Sequence, residues 1–163
     1  FFVLMVRRPP RSTLVPYTPL FRSGPSGPRL VLVGGVSLTS FQFLDEVKLF
    51  DVATKSWSDG RKSGPAPGPR GGHVAGLAGN KVVVFGGQSG RGNFPGEIHT
   101  FNLESSSWFQ RRGTGQIPSP RTMASSAVLA DGEKMLVFGG ISGADEKTPL
   151  NDMFLYTGVT PAF

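Results

Sequence analysis

A doublet of glycines returns at a nearly fixed interval along this chain of 163 residues, and each time an apolar run leads into it. RLVLVGG ends at Gly35, KVVVFGG at Gly87 and KMLVFGG at Gly140, spacings of 52 and 53 residues. Self-similarity at such a period marks an architecture of stacked supersecondary units, and it decides the fold before any single element is assigned. After each doublet come a polar loop and a second strand: DEVKLFD (45–51), GEIHTFN (96–102) and NDMFLYT (151–157). These place Phe50, Phe101 and Tyr156 in one register. Trp57 and Trp108 follow the first two aromatics by seven residues, and Phe163 follows Tyr156 by the same number. Upstream, PRGGHVAGLAG (69–79) aligns with PRTMASSAVLADG (120–132), beginning 51 residues earlier.

Each unit therefore reads as four strands. Gly71 to Leu77 is small and weakly polar, as suits an innermost strand crowded around an axis. Lys81 to Phe85 is a short apolar run of the kind buried on both faces. The paired glycines end it by permitting backbone geometry and close approach that a Cβ would block. Glu97 to Phe101 alternates, with Ile98 and Thr100 on one face and Glu97, His99 and Phe101 on the other. Residues 102–107 supply a polar turn, and Trp108 opens an outer strand with a ring large enough to pack between units. Glycine and proline (23 and 14 residues) exceed a fifth of the chain, and charged residues are only 17%, which agrees with short strands and tight turns.

The pattern of apolar run, Gly-Gly, aromatic, six residues and Trp resembles the kelch repeat over Arg29 to Phe163. Its signature here is Gly34, Gly35, Phe50, Trp57, Gly86, Gly87, Phe101, Trp108, Gly139, Gly140 and Tyr156. The resemblance implies an all-β fold, a kelch-type β-propeller fragment of about three four-stranded antiparallel blades at about 29–61, 70–111 and 121–163. Three partial blades leave strand edges and a blade face open, so poor solubility is expected of this polypeptide alone. The proline-rich links SGPAPGPR (63–70) and GTGQIPSPR (113–121) resemble those of stand-alone kelch proteins, the Rab9-effector-like, host-cell-factor-like and acyl-CoA-binding groups, more than those of kelch proteins with a BTB domain.

Residues 1–23 stand apart from the repeat. They carry Arg7, Arg8, Arg11 and Arg22 and no acid, so the net charge of +6 falls to +2 from Gly24 onward. The opening FFVLMV is too short to span a bilayer, and its charge lies on the wrong side for a secretory signal. Without a period of 2 or 3.6, the segment reads as a disordered tail. Met5 to Ser23 also resemble the translation of a sequencing adapter, MIRRPPRSTLFPYTTLFRS, at 16 of 19 positions. The expected division is thus 1–23 as an artefactual tail and 24–163 as a partial propeller, itself cut from something longer.

Little in the chain points to catalysis. GGQSGRGNFPG (86–96) lacks both phosphate-loop spacings and joins two strands instead of opening a helix. His73 and His99 are the only histidines, neither with a partner at metal-ligand spacing, and there is no cysteine. Galactose-oxidase-like propellers need a cysteine-crosslinked tyrosine, and plant specifier-type kelch proteins need E-x-x-x-D-x-x-x-H; neither motif is present. No metal, no cofactor and no catalytic residue is expected, and the chain is not read as an enzyme.

What remains is a binding scaffold. As a propeller loop, 88–95 would project Ser89, Arg91, Asn93 and Phe94 from a rim, offering a cation, polar groups and a ring for contact. Arg70 and Arg121 recur with the repeat, which points to a shared structural role such as bonding loop carbonyls between blades. In some kelch domains this position grips acidic ligand groups at the channel mouth, and the resemblance carries that possibility onto Arg70, Gly71, Gly72, Arg121 and Thr122. The leading expectation is an intracellular, cytoplasmic protein-protein interaction scaffold. It would bind a protein or peptide partner through loops 36–44, 88–95 and 141–150, with no nucleic acid and no membrane. Mixed charge on these loops (Arg91 against Asp145, Glu146 and Lys147) favours a polar protein over nucleic acid. The alternative is a non-catalytic accessory propeller of a multidomain enzyme whose catalytic domain lies elsewhere.

Overall fold

A computed structural model of the chain describes residues 14–15, 20–22, 27–60, 63–113, 115–142 and 148–157. Its elements are all strands. In chain order they are β1 (Leu14–Val15), β2 (Leu20–Arg22), β3 (Arg29–Ser37), β4 (Phe43–Asp51), β5 (Ser56–Asp59), β6 (Val74–Ala78) and β7 (Lys81–Phe85). There follow β8 (Ile98–Asn102), β9 (Ser107–Arg111), β10 (Ser125–Val128), β11 (Met135–Phe138), β12 (Ile141–Ser142), β13 (Thr148–Pro149) and β14 (Met153–Tyr156).

The middle unit is the complete one, an antiparallel sheet in the order β6-β7-β8-β9. The third unit repeats its first three strands as β10-β11-β14, with β12 and β13 paired in the loop between. Phe163, the expected start of a fourth strand, lies outside the described residues, as do residues 143–147. In the first sheet β3, β4 and β5 follow the same order, and β1 and β2 both pair with β3 along the edge that β6 occupies in the second. Two stretches of the segment expected as a tail therefore take up ladder positions that an unpaired edge offers to any chain.

The middle sheet is covered on both faces, which explains why its central strand reads KVVVF without alternation. Val82, Val84, Phe101, Trp108 and Ala75 pack with Val31, Val33 and Val47 of the first sheet. Val83, Phe85, Val74 and Ala78 pack with Met135 and Val137 of the third. The two seams share one backbone joint: Gly35 N donates to Arg70 O and Gly87 N to Arg121 O, both at 2.8 Å. Here the doublets are required, because Gly86 and Gly87 sit at φ 71° and 94° and a Cβ on Gly86 would run into the Arg121 carbonyl.

The outer hairpins also repeat. Asp51 Oδ1 accepts from the amides of Ala53 and Thr54, and Asn102 Oδ1 from those of Glu104 and Ser105, at 2.8 to 3.0 Å. Lys55 and Ser106 then take φ of 55° and 52° before the chain enters the strand that carries tryptophan. The expected polar turn is thus an Asx-capped turn whose last residue is left-handed.

Candidate binding face

The chain leaving the first two glycine doublets and the ends of the proline-rich links at Arg70 and Arg121 meet at one end of the sheets, because the backbone joints above tie them together there. Arg70 is 4% exposed and Arg121 1%. Each points inward across its own unit. Arg70 donates from Nη1 to Gly86 O and from Nε to Gly68 O, both at 3.2 Å. Arg121 donates from Nη1 to Gly139 O and from Nε to Ser119 O, both at 3.0 Å. The two arginines therefore satisfy carbonyls of their own glycine doublets, orphans that would otherwise be buried without donors.

Arg121 carries a further partner. Its guanidinium grips Asp152 through both nitrogens, Nη2 to Oδ2 at 2.9 Å and Nη1 to Oδ1, and lies 5.2 Å from the centroid of the Phe154 ring. Hydrogen bonding from Arg121 holds the Asp152 carboxyl below its ordinary range. Burial pulls the Arg70 pKa down, and the charge of Glu97 pushes it partly back. Glu97 and Asp152 stand four residues before Phe101 and Tyr156, so this acid was visible in the aligned second strands, but its pairing with the arginine was not deduced.

Between the arginines lies a floor of small residues. Gly71 exchanges both backbone hydrogen bonds with Gln88, and Thr122 does the same with Ile141. The Gly72 carbonyl accepts from Met123 N at 2.8 Å and from Thr122 Oγ1 at 3.3 Å. Loop 88–95 closes on itself: Ser89 N donates to Asn93 O, Asn93 N to Gly90 O, and Asn93 Nδ2 to Ser89 Oγ at 2.8 Å. Ser89 and Asn93 brace this turn and leave Arg91 exposed at its tip, with Phe94 half-buried behind it.

The histidines occupy packed positions. His99 is buried, edge-on to Trp108, with Nδ1 donating to Pro65 O at 3.0 Å. His73 precedes β6, and its Nδ1 is buried without a hydrogen-bond partner among the described residues. Burial first, then the Arg70 charge, outweigh the pull of the Val33 carbonyl and bring its pKa down to about 4, so the ring stays neutral at neutral pH. Among the described residues no group of three His, Asp or Glu side chains could hold a metal ion, and no helix is long and apolar enough to cross a membrane.

Away from this face, a cleft of about 190 Å³ opens between the second and third sheets. Val83, Phe85, Ile98, Met135, Val137 and Tyr156 line it, and Arg111 and Arg112 stand at its rim.

Comparison with known proteins agrees with this architecture. The chain is 33% identical over 116 residues to acyl-CoA-binding domain-containing protein 4 of Arabidopsis thaliana, covering 71% of this chain and 17% of that protein. It is 31% identical over 112 residues to kelch domain-containing protein 2 of Bos taurus, covering 69% and 27%. It is 32% identical over 101 residues to the human Rab9 effector protein with kelch motifs, covering 60% and 26%. The chain thus spans less than a third of the length of each of these relatives. The KLHDC2/KLHL20/DRC7 Kelch-repeats domain matches residues 24–161, leaving the first 23 residues outside the match. With its repeat in register, its joints between sheets duplicated and residues 24–161 matched, the chain belongs to the kelch-repeat family.

Proposed function

We propose that this propeller is a protein-interaction module that engages a protein or peptide through the loop face, with loop 88–95 as a principal contact. The observation that carries this reading is the division of labour on that face. Buried arginines and self-braced turns fix the loops, while Arg91 projects at a tip where no structural bond requires it to be. A relative named as a Rab9 effector adds weight to a protein partner over a small molecule.

The length of the relatives favours a larger architecture as well. In that second reading the propeller is an accessory part of a multidomain protein, and any catalytic domain belongs to the rest of it. Residues 24–163 carry the propeller in either case, and residues 1–23 are set aside as translated adapter. Source nucleotides encoding 1–23 contiguously in the genome would end that last assignment.

The test of the binding face is a pulldown with the propeller in its full-length context. Arg91→Ala and Phe94→Ala together are expected to lose partners that the parent retains. Unchanged retention removes loop 88–95 from the site.

A further inference from the structure

The link into the third unit carries a hydroxyl where the link into the second carries none. Ser119 stands two residues before Arg121, and Gly68 two residues before Arg70. Both give a backbone carbonyl to the arginine Nε, at 3.0 and 3.2 Å. Ser119 adds its Oγ, which accepts from Arg121 Nη2 at 3.1 Å. With Gly139 O and both Asp152 oxygens, this commits all five N–H groups of the guanidinium. Arg121 itself is buried, yet Ser119 at the end of its fork is exposed.

That exposure does not come from an uncovered flank. Gly68 holds the same place in the middle unit, which has a sheet packed on each face, and a Cβ there would meet nothing within 4 Å. The sequence around the hydroxyl is IPSPR (117–121). Prolines after Ile117 and after Ser119 disfavour helical backbone at both and hold the segment extended. Since Oγ is the acceptor in its bond with Arg121, the hydroxyl hydrogen is not used there. Thr148, the other hydroxyl residue followed by proline among the described residues, lies in β13 and is laddered to β12.

We propose that Ser119 is a phosphorylation site for a proline-directed protein kinase, and that the phosphate takes over part of the Arg121 fork from Asp152. Kinases of this class select proline after the target residue, where no N–H needs a partner. In the transfer, Oγ attacks the γ-phosphorus of ATP while its proton passes to the base of the kinase, and the new O–P bond replaces the bond to departing ADP. The product adds roughly 1.5 to 2 negative charges at neutral pH. They arrive beside a cation that already faces a carboxylate. Nη2 is then asked to serve a phosphoryl oxygen and Asp152 Oδ2, 2.9 Å away, at the same time. The tethered dianion prevails over a partly exposed carboxylate that water can solvate, and Asp152 keeps only its contact with Nη1. Arg70, with Gly68 in its link, has no such hydroxyl to modify. This site does not rest on the loop face being the binding face.

The full-length protein, incubated with a recombinant cyclin-dependent kinase and Mg-ATP, tests it, with the modified residues located by peptide mass spectrometry. Phosphate is expected on Ser119, and is lost there both in Ser119→Ala and in Pro120→Ala, which retains the hydroxyl. Phosphate on Thr148 without Ser119 overturns the site. So does transfer to a synthetic peptide of residues 115–124 but not to the folded protein. Phosphorus NMR then reads the grip, on the signal that Ser119→Ala lacks. The second pKa of the phosphate, ordinarily about 6, is expected to lie about one unit lower in the folded protein than in urea. An equal value means that Arg121 does not hold the phosphate, and a raised one that Asp152 kept its arginine and only repels the newcomer; either overturns the exchange. This comparison needs no variant. In Asp152→Asn the value should fall further, because the competing charge is gone, and a value equal to the parent's in that folded variant counts against the exchange as well.

Discussion

The seam between the first and second sheets and the seam between the second and third begin from the same joint and end differently. Each is pinned at the loop face by a glycine amide on an arginine carbonyl. Further out, the first seam is filled by Trp108, 1% exposed, its ring 5.0 Å from Phe101 and edge-on to His99. The second seam has Tyr156 in the register of Phe101, and beyond it the cleft of about 190 Å³. The joint sets the geometry of neighbouring units, and the aromatic sets the packing density between them. These are separable contributions, because the third sheet keeps its place through the joint and the Met135 and Val137 contacts.

The largest way to break this contrast is to empty the filled seam. Trp108→Ala should cost about 3–5 kcal/mol, as expected for deleting a buried aromatic from a close-packed site. Met135→Ala, a truncation at the open seam, should cost about 2 kcal/mol, since a neighbouring cleft already forfeits part of the packing. Urea midpoints of the two variants and the parent decide it. Equal losses would mean that the two seams are packed alike.

A smaller effect separates the joints themselves. Arg121→Met removes donors from Gly139 O and Ser119 O and strands the Asp152 carboxylate at the surface. Arg70→Met removes donors from Gly86 O and Gly68 O and the charge that acts on Glu97, without a side-chain pair like that of Arg121 with Asp152 among the described contacts. Losses of about 2–3 kcal/mol and about 1–2 kcal/mol are expected from unsatisfied buried acceptors. The Arg121 variant should also become less sensitive to acid, because a carboxyl held low by its partner supports the fold above its unfolded pKa and loses that support as pH falls. An acid titration that is identical in the parent and in Arg121→Met would remove Asp152 from the joint.

These contrasts show where the sequence was readable. The four-strand unit, its order and the turn before tryptophan follow from local patterns: KVVVF buried on both faces, Asp51 and Asn102 capping their turns, Gly86 taken up by a close approach. The expectation that the Arg70 and Arg121 side chains bond loop carbonyls between blades is corrected: they bond carbonyls of their own unit and link, and the bond between sheets is made by their backbone carbonyls, accepting from Gly35 and Gly87. Asp152 went unnoticed as a partner because charge pairing between residues 31 apart depends on the turn of the whole unit. Met123, left-handed at φ 56°, was hidden for another reason. Its alignment with Gly72 is plain in the sequence, but the mismatch carries meaning only once that position is known to need a positive φ. Likewise β1 and β2 were not anticipated on the open edge of β3, since an unpaired edge selects partners by availability and not by pattern.

The smallest test asks what the tryptophan contributes beyond a ring. Its Nε1 is buried without a hydrogen-bond partner among the described residues, and Trp57 shows the same feature. An indole in that state gains from its area and contacts while it pays for one desolvated N–H. Trp108→Phe gives up part of the first and all of the second. The two changes oppose one another, and a net loss of about 1 kcal/mol or less is expected, well short of the alanine variant. Comparing Phe and Ala at this position by the same urea titration isolates the ring from the N–H. A loss in the Phe variant close to that of Ala would mean that the N–H is bonded and that seam density is not what Trp108 supplies.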